Sequence, residues 1–314
     1  MSLTFSIVIP VRDEPRVAEL VRSLLAEPSS DAEILVADDG DPGDLPGLPG
    51  ARVLPIHSGN PGNARNQAAR QARGDILLFL DTDVVVSSGW LRQARSLFAN
   101  SEVVAAQGHC EAVGDHPVAR RMQEEYDRFV ASHAGTGYHD LCDTRCFGIR
   151  RGVFEHFPFD VEEPYCEDGA LGRRLFEANI PIVFAPEWRV RHHYTRSITR
   201  ELSRLRRYAA ASMAHFHRTG RDLFQAPGTA APRGPGAFLL SVCRRWPLLG
   251  PPAAAALWLL AFALGRGALI REPIGRTCFS LARRAAVLSA RLARPAGDRG
   301  VLQTTALRAP IADP

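Results

Sequence analysis

Apolar runs alternate with amphipathic stretches through the first hundred residues of the chain. Four apolar runs predict strands: TFSIVIPV with its strand ending at Pro10, EILVADDG, ARVLPI and the run within GDILLFLDTDVVV. Helical spacing predicts three helices: 17–25, NPGNARNQAARQARG (60–74) up to Gly74, and 90–99. Strands that alternate with helices predict an α/β domain with a largely parallel sheet.

Acidic residues follow two of these predicted strands. Residues 76–80 are all apolar and lead directly to Asp81 and Asp83, and the second strand leads to Asp38 and Asp39. Residues two apart on a strand share a face, so Asp81 and Asp83 would repel each other unless a cation neutralised them. Mg²⁺ and Mn²⁺ prefer such oxygen ligands, although two solvated acids at a strand end are an equal alternative. Because ligands bind beyond the carboxyl ends of parallel strands, we expect all four acids to converge there.

The character of the chain changes after residue 220. Residues 221–236 form a Pro/Gly linker by composition, and 237–314 form an Arg-rich hydrophobic and amphipathic tail. Pro247 to Gly265 contains nineteen residues without a charge, about the length that crosses a bilayer. A buried hairpin or a re-entrant segment is the alternative, because Pro251 and Pro252 interrupt its start.

The stretch CFSLARRAAVLSARLARP in this tail predicts a basic amphipathic helix at a membrane surface. A helix packed on the domain is the alternative. The apolar positions and the arginines of the pattern are Phe279, Leu281, Ala285, Leu288, Leu292, Arg283, Arg284, Arg291 and Arg294.

Charge is distributed unevenly along the chain. Residues 1–188 contain 17 Arg and 29 acids, whereas residues 189–314 contain 21 Arg and 5 acids, and no lysine occurs. The second part therefore suits an acidic partner, which could be an anionic membrane, a nucleic acid or a phosphorylated substrate. The six cysteines complete no zinc-binding set and suit free thiols in a reducing cytosol. The N-terminus carries no pattern of a secretory signal.

Several motifs occur in a fixed order. No G-x-G-x-x-G follows the first strand, which removes the main support for a dinucleotide site. The ordered motifs are VIPVRDE, VADDG, GNARNQAARQARGDILLFLDTD, CDTRCFGIRRGVFEHFPFD, CEDGALGRRL and VRHH. With these motifs the chain resembles the family 2 glycosyltransferases of the GT-A fold over residues 4–215. It departs from them at Arg12-Asp13-Glu14, where an aromatic-Asn-Glu is common, and at Cys146 and Cys166, where Asn and Gly are frequent.

The resemblance implies a catalytic domain over 1–220, with a nucleotide-sugar half at about 1–110 and an acceptor half at about 111–220. Asp39 would accept a hydrogen bond from the nucleotide base, Asp38 would hold the loop or form an Asx turn, and Arg65 would lie on a helix near the diphosphate. Asp81 would contact the ribose or the water shell of a metal ion. The implied donor-binding residues are Pro10, Arg12, Glu14, Asp38, Asp39, Arg65 and Asp81.

The same resemblance implies a Mn²⁺ or Mg²⁺ site and a catalytic base. Asp83 would bind the ion with Asp81 and His192, and His193 is the substitute for His192. Asp168 would deprotonate the acceptor hydroxyl in an inverting displacement, and Glu167 would orient it. The implied partners are a nucleotide-diphosphate sugar and a glycan or lipid-linked acceptor, with no nucleic acid. The tail would hold the enzyme at the cytoplasmic face of a membrane, in envelope polysaccharide or glycolipid synthesis.

Two other functions remain open from the sequence. LLFLDTDVV also fits the nucleophile strand of haloacid-dehalogenase-type phosphatases, in which Asp81 would attack phosphate. In that family the second acidic pair follows the DxD strand, whereas here Asp38 and Asp39 precede it. The other alternative is a membrane-docked module that binds sugar nucleotides without catalysis. The presence of both Asp83 and Asp168 argues against it.

Overall fold

The structure is a computed structural model, and it describes residues 3–27, 29–40, 45, 47–134, 142–163, 165–219, 250–267 and 274–293. The predicted linker at 221–236 and much of the predicted tail lie outside these residues. The strands are β1 (Phe5–Val11), β2 (Ala32–Asp38), β3 (Arg52–Pro55), β4 (Ile76–Phe79), β5 (Val84–Val86), β6 (Ala105–Ala112), β7 (Phe147–Arg150) and β8 (Ile182–His192). The helices are α1 (Val17–Leu25), α2 (Pro61–Ala69), α3 (Trp90–Ala99), α4 (Pro117–Ala134), α5 (Arg151–His156), α6 (Glu167–Glu177), α7 (Ile198–Thr219), α8 (Gly250–Gly267) and α9 (Ile274–Ala293).

The strands form one mixed eight-stranded sheet in the order β3-β2-β1-β4-β7-β6-β8-β5. Strands β1 to β4 pair in parallel, β7 runs antiparallel to both β4 and β6, and β5 runs antiparallel to β8. The prediction of an α/β fold is therefore confirmed, although the parallel part is limited to the first four strands and the β6–β8 pair.

Both faces of the central strands are buried, which explains why their sequences are apolar throughout. Ile7 and Ile9 of β1 belong to the core beneath α1 and α3, whereas Val8 belongs to the core on the opposite face, with Leu77 and Phe79 of β4. The sequence periodicity of 17–25 and 90–99 identified α1 and α3 with the bounds that the structure has.

Two predicted elements differ from the structure. The run 74–86 is two strands, β4 and β5, because the chain turns at residues 82–83 and leaves the sheet between them. The second predicted helix ends at Ala69 rather than at Gly74. There Gln71 N–H bonds the carbonyl of Ala68 and closes the last turn. Gly74 instead allows close packing, since a Cβ there would come within 2.5 Å of the β1 backbone.

Helices α8 and α9 pack on α7 and α4. Ala261 of α8 and Ala286 of α9 share a core with Leu202 of α7, and Phe279 of α9 packs beside Met122 of α4. Among the described helices, none is both long and apolar enough to cross a membrane. In its described part the uncharged segment belongs to helix α8, which packs against α7 and α9. The apolar positions Phe279 and Ala285 face protein, while Leu281 is 44% exposed.

Candidate active site

The strand order reverses next to β1, and in open α/β sheets a reversal of this kind opens a crevice at the carboxyl ends of the strands. The chain passes from β1 outward to β2 and β3, and then returns to place β4 on the other side of β1. In sheets of this kind the loops at such a reversal diverge, and ligands bind between them at the carboxyl ends of the strands. Asp38 is the last residue of β2 and Asp39 follows it, while Asp81 and Asp83 follow β4, so both predicted acidic pairs lie at the carboxyl ends of the two strands that flank β1.

The loops after β1 and β2 contact each other. Asp39 N–H bonds the carbonyl of Val11 at 2.8 Å. Asp13 adopts a left-handed conformation with φ of 53°, and a Cβ on Gly40 would come within 2.9 Å of its Oδ1 atom. The glycine after the two acids therefore lets these loops approach each other.

The two acids after β2 have different local roles. Asp38 Oδ1 accepts a hydrogen bond from Gly40 N–H at 3.1 Å, which is the Asx turn that the sequence left open. Asp39 Oδ1 accepts from the backbone N–H groups of Ser58 and Gly59, the latter at 3.0 Å. Asp39 thus joins the β2 loop to the segment before α2. The predicted contact of Asp39 with a nucleotide base stays a prediction, as do the contacts of Pro10, Arg12 and Glu14.

The acids after β4 do not share a strand face, because β4 ends at Phe79. Asp81 Oδ1 lies 2.6 Å from Arg65 Nη2 and accepts a hydrogen bond from Thr144 Oγ1 at 3.0 Å. Asp83 points elsewhere, and its Oδ2 atom lies 3.1 Å from His192 Nε2. Mutual repulsion is therefore relieved by separate partners. The premise that the two carboxylates share one strand face is wrong, because they lie in a turn, whereas their predicted roles at a metal ion stay predictions.

His192, at the end of β8, is the histidine that reaches the acidic turn. The ring of His193 points away and lies 3.5 Å from Glu19 of α1, although its backbone N–H bonds the carbonyl of Asp83. Burial raises the pKa of Asp83, but the hydrogen bond from His192 and the charges of His192 and Arg145 outweigh it and leave that pKa below its usual value. Asp83 is therefore ionised at neutral pH.

A second arginine, Arg145, fixes the position of the His192 ring. Arg145 Nε bonds both carboxylate oxygens of Asp143, at 2.9 and 3.0 Å, and its guanidinium lies 4.6 Å from the centre of the Tyr126 ring. Arg145 Nη1 also donates to Tyr194 Oη at 3.1 Å and lies 3.5 Å from His192 Nδ1. These contacts hold the imidazole between the Arg145 group and Asp83.

The acidic pair of α6 lies across from the turn after β4. Glu167 is buried and its Oε1 atom accepts from Arg65 Nη1 at 2.8 Å. Asp168 is partly exposed, and its Oδ1 atom accepts from Gly169 N–H at 2.7 Å. Desolvation by the surrounding protein, with the charges of Glu167 and Asp143, raises the pKa of Asp168 well above that of an ordinary carboxyl group. A base of raised proton affinity suits the role that the sequence predicted for Asp168.

Helix α2 holds the loop that precedes this acidic pair. Asn66 bonds the backbone of Phe159 twice, accepting from its N–H at 2.9 Å and donating to its carbonyl at 2.8 Å. Asn60 donates to the carbonyl of Val161 at 2.8 Å and also caps α2. Residues at the start of α2 and within it thereby position the loop that leads to Asp168.

The side chains of this site fit a divalent ion only if a bound ligand supplies further oxygen atoms. Within the described ranges, no group of three or more His, Cys, Asp or Glu side chains is arranged to hold a metal ion. Asp83 and His192 converge as a pair, and the site carries more carboxylates than guanidinium groups. Mg²⁺ and Mn²⁺ sites in phosphate enzymes commonly combine one or two protein ligands with phosphate oxygens and water. The residues present therefore fit an ion that arrives with a diphosphate.

Sequence reasoning missed several residues of the site. Thr144 and Arg145 lie in the motif CDTRC, directly before the apolar strand β7. Polar side chains at one end of an apolar strand were the signal that could have identified them as site residues. Asn66 directly follows Arg65 in the ARN motif, and the predicted role of Arg65 was the signal that could have identified it. Tyr126 carries no such signal, because a tyrosine on an amphipathic helix such as α4 is more often part of the core.

Comparisons with known proteins agree with this architecture. Residues 6–157 match the profile of Glycosyl transferase family 2. The uncharacterized glycosyltransferase EpsJ of Bacillus subtilis (strain 168) is 36% identical over 97 residues, and the match spans 28% of each chain. The mannosyltransferase PcManGT of Pyrobaculum calidifontis, solved with GDP-Man and Mn²⁺, superposes with a TM-score of 0.59 at 18% identity. That superposition covers 92% of this chain and 86% of PcManGT.

The sheet and its reversal next to β1 have the GT-A fold, as the superposition on PcManGT shows. Over residues 6–157, slightly less than half of the chain, the sequence matches glycosyltransferase family 2, in agreement with the resemblance seen in its motifs. The profile match ends before α6 begins, so Asp168 and His192 are supported by their geometry rather than by this match. The phosphatase alternative is not supported.

Proposed function

We propose that the protein is a metal-dependent inverting glycosyltransferase that moves a sugar from a nucleotide-diphosphate sugar to an acceptor hydroxyl. One observation carries the proposal. The metal-competent pair Asp83–His192 and the carboxylate Asp168, whose pKa is raised, both neighbour the Asp143–Arg145 ion pair. Arg145 Nη1 lies 3.5 Å from His192 Nδ1, and the charge of Asp143 helps to raise the pKa of Asp168. A donor diphosphate and an acceptor hydroxyl need such groups on opposite sides of the anomeric carbon.

The donor would occupy the crevice across the end of β1. Pro10, Arg12, Glu14, Asp38 and Asp39 would border the nucleoside, and Asp81 would meet the ribose at the other end. When bound, a Mn²⁺ or Mg²⁺ ion would supply Lewis-acid stabilisation of the departing diphosphate. The presence of GDP-Man and Mn²⁺ in PcManGT supports a sugar nucleotide and a divalent ion here.

Asp168 would supply the base. The acceptor oxygen attacks the anomeric carbon from the face opposite the diphosphate, its proton passes to Asp168, and the bond from the sugar to the diphosphate breaks. A single displacement of this kind inverts the anomeric configuration. Positioned base catalysis is typically worth ~10²–10⁴ in rate. Glu167, anchored by Arg65, would hold the start of α6 in place.

A screen of UDP-, GDP- and dTDP-sugars for Mn²⁺-dependent thermal stabilisation tests the donor site, since ligands of the native state raise stability by mass action. We expect at least one sugar nucleotide to stabilise the protein with the ion and to be hydrolysed or transferred slowly. Binding without any turnover would point to the non-catalytic module instead. An absence of binding by every donor would contradict the proposal.

We also propose that the enzyme works at the cytoplasmic face of a membrane on a glycan or lipid-linked acceptor. Helix α8 supports this, because it is apolar on the side facing solvent as well as on the side facing α7 and α9. Leu259 is 70% exposed and Leu260 is 47% exposed, with Ala256 and Ala263 on the same outer side. An apolar helix face is normally covered. The 21 Arg and 5 acids of residues 189–314 favour an anionic lipid surface as the cover.

A further inference from the structure

Arg65 is enclosed between the two halves of the catalytic domain. Its side chain is only 4% exposed, and both ends of the guanidinium fork contact carboxylates. Nη2 lies 2.6 Å from Asp81 Oδ1 and donates to Thr144 Oγ1 at 2.9 Å, and Nη1 donates to Glu167 Oε1 at 2.8 Å. The donor-side acid after β4 and the first residue of α6 therefore share one cation.

This arrangement leaves little of the guanidinium for a phosphate. Arg65 Nε is buried and has no hydrogen-bond partner among the described residues. One face of the group lies 5.5 Å from the centre of the Phe159 ring. An arginine that binds a diphosphate normally presents a bidentate edge to the ligand, and here the terminal nitrogens are taken by Asp81, Thr144 and Glu167.

We propose that Arg65 is a positioning residue that ties Asp81 of the donor site to Glu167 and the base-bearing helix α6, rather than a ligand of the diphosphate. The inference rests on the proposed function, because it assigns the base to α6. Arg65 acts through Asp81 and Glu167 and does not touch the substrate.

The charge of Arg65 also bears on the neighbouring base. The groups that surround Asp168 are Glu167, Cys166, Asp143, Cys142, Tyr208 and Arg65. Burial and the carboxylates Glu167 and Asp143 raise the pKa of Asp168, whereas Arg65 lowers it. Loss of the Arg65 charge therefore moves the acidic limb of the kcat profile to higher pH. Loss of the Glu167 charge moves it to lower pH.

The test compares Arg65→Met with Arg70→Met, whose side chain is exposed just beyond the end of the same helix. For Arg65→Met we expect kcat to fall by ~10²-fold through misplacement of the base, with donor KM changed by less than about threefold. The acidic limb of the kcat–pH profile should move to higher pH. Arg70→Met should match the wild type in kcat, KM and limb position. A rise of donor KM by ~10-fold or more with an unmoved limb would overturn the inference in favour of a diphosphate contact.

Two further variants keep the test decisive if Arg65→Met folds poorly. Arg65→Lys keeps the positive charge but loses the two-pronged guanidinium group. The acidic limb of its kcat–pH profile should therefore stay near that of the wild type, while kcat still falls. In the double variant Arg65→Met/Glu167→Gln the two charge changes act on the pKa of Asp168 in opposite directions. The acidic limb of the kcat–pH profile should therefore return toward its wild-type position. If Arg65→Met and Glu167→Gln moved the acidic limb of the kcat–pH profile in the same direction, the proposed electrostatic effect of Arg65 on Asp168 would be contradicted.

Asp168→Asn belongs in the same assay. If Asp168→Asn transfers sugar at the wild-type rate, the assignment of the base fails and the role of Arg65 in positioning it fails as well. If Asp168→Asn is inactive while Arg65→Met behaves as a diphosphate mutant, only the inference about Arg65 fails.

Discussion

His192 Nε2 lies 3.1 Å from Asp83 Oδ2, which joins the end of β8 to the turn after β4. His193, the adjacent residue, contacts Glu19 instead. Since the two histidines are neighbours in sequence and differ in which one faces the acidic turn, they form a matched pair for testing the metal site.

We expect His192→Ala and Asp83→Ala to abolish the dependence of nucleotide-sugar binding on Mn²⁺, together with turnover. The loss of metal affinity should exceed the ~10–100-fold that removal of an outer partner typically costs. His193→Ala should bind the ion as the wild type does. Mn²⁺ titrations monitored by calorimetry, with donor present, measure this. Full activity of Asp83→Ala in excess chelator would rule out the metal assignment.

Asp168→Asn should reduce transfer by ~10²-fold or more and leave Mn²⁺-dependent donor binding unchanged, because the amide keeps the shape but cannot accept the proton. Glu167→Gln should cost less. Glu162→Gln, at an exposed acid of the preceding loop, should have no effect. Steady-state rates and the anomeric configuration of the product, by NMR, report the outcome. A product with retained configuration would contradict a single displacement.

The raised pKa of Asp168 makes activity and stability respond to pH in opposite ways. Turnover requires the carboxylate, so kcat should fall as pH drops through the raised pKa. The folded state holds the proton more tightly than the unfolded state, so this group contributes stability at low pH that is lost as pH rises toward its folded pKa. Asp168→Asn should therefore melt at a higher temperature than the wild type near neutral pH. The difference should vanish below the ordinary carboxyl pKa of about 3.9. Equal melting temperatures across the pH range would argue against the raised pKa.

Asn66→Ala should destabilise the fold by about 2–4 kcal/mol, because it leaves both backbone groups of Phe159 buried without a partner. Gln67→Ala on the same helix is the control, and it should change the free energy of unfolding by less than about 0.5 kcal/mol. Urea unfolding measures both. If the loop before α6 depends on this clamp, proteolysis of Asn66→Ala should begin within residues 157–166.

Leu259→Ser with Leu260→Ser should reduce binding to anionic vesicles, because both side chains lie on the exposed face of α8. Val53→Ser removes an apolar side chain that is 39% exposed on β3, distant in sequence from α8, and should bind as the wild type does. Co-sedimentation with vesicles that contain phosphatidylglycerol, compared with neutral vesicles, tests this. Equal sedimentation of both variants, or an absence of binding by the wild type, would contradict the membrane proposal.

Local patterns in the sequence determined much of this protein. The apolar runs identified β1, β2 and β3, and helical spacing identified α1 and α3 with closely matching bounds, because burial on one or both faces dictates where apolar side chains recur. Acids directly after β2 and β4 had to lie at the same edge of the sheet, because neighbouring parallel strands end on one side. The order of the motifs indicated the glycosyltransferase family whose model matches residues 6–157.

Only the tertiary structure decided which side chains meet. The sequence placed Asp81 and Asp83 on one strand face, but the turn after β4 directs them to Arg65 and His192, and strand alternation does not apply in a turn. Arg65 and Glu167 are 102 residues apart, and the choice between His192 and His193 depends on which face of β8 looks toward the turn. Hydrogen bonds across such distances depend on the packing of whole elements, which local propensity does not encode.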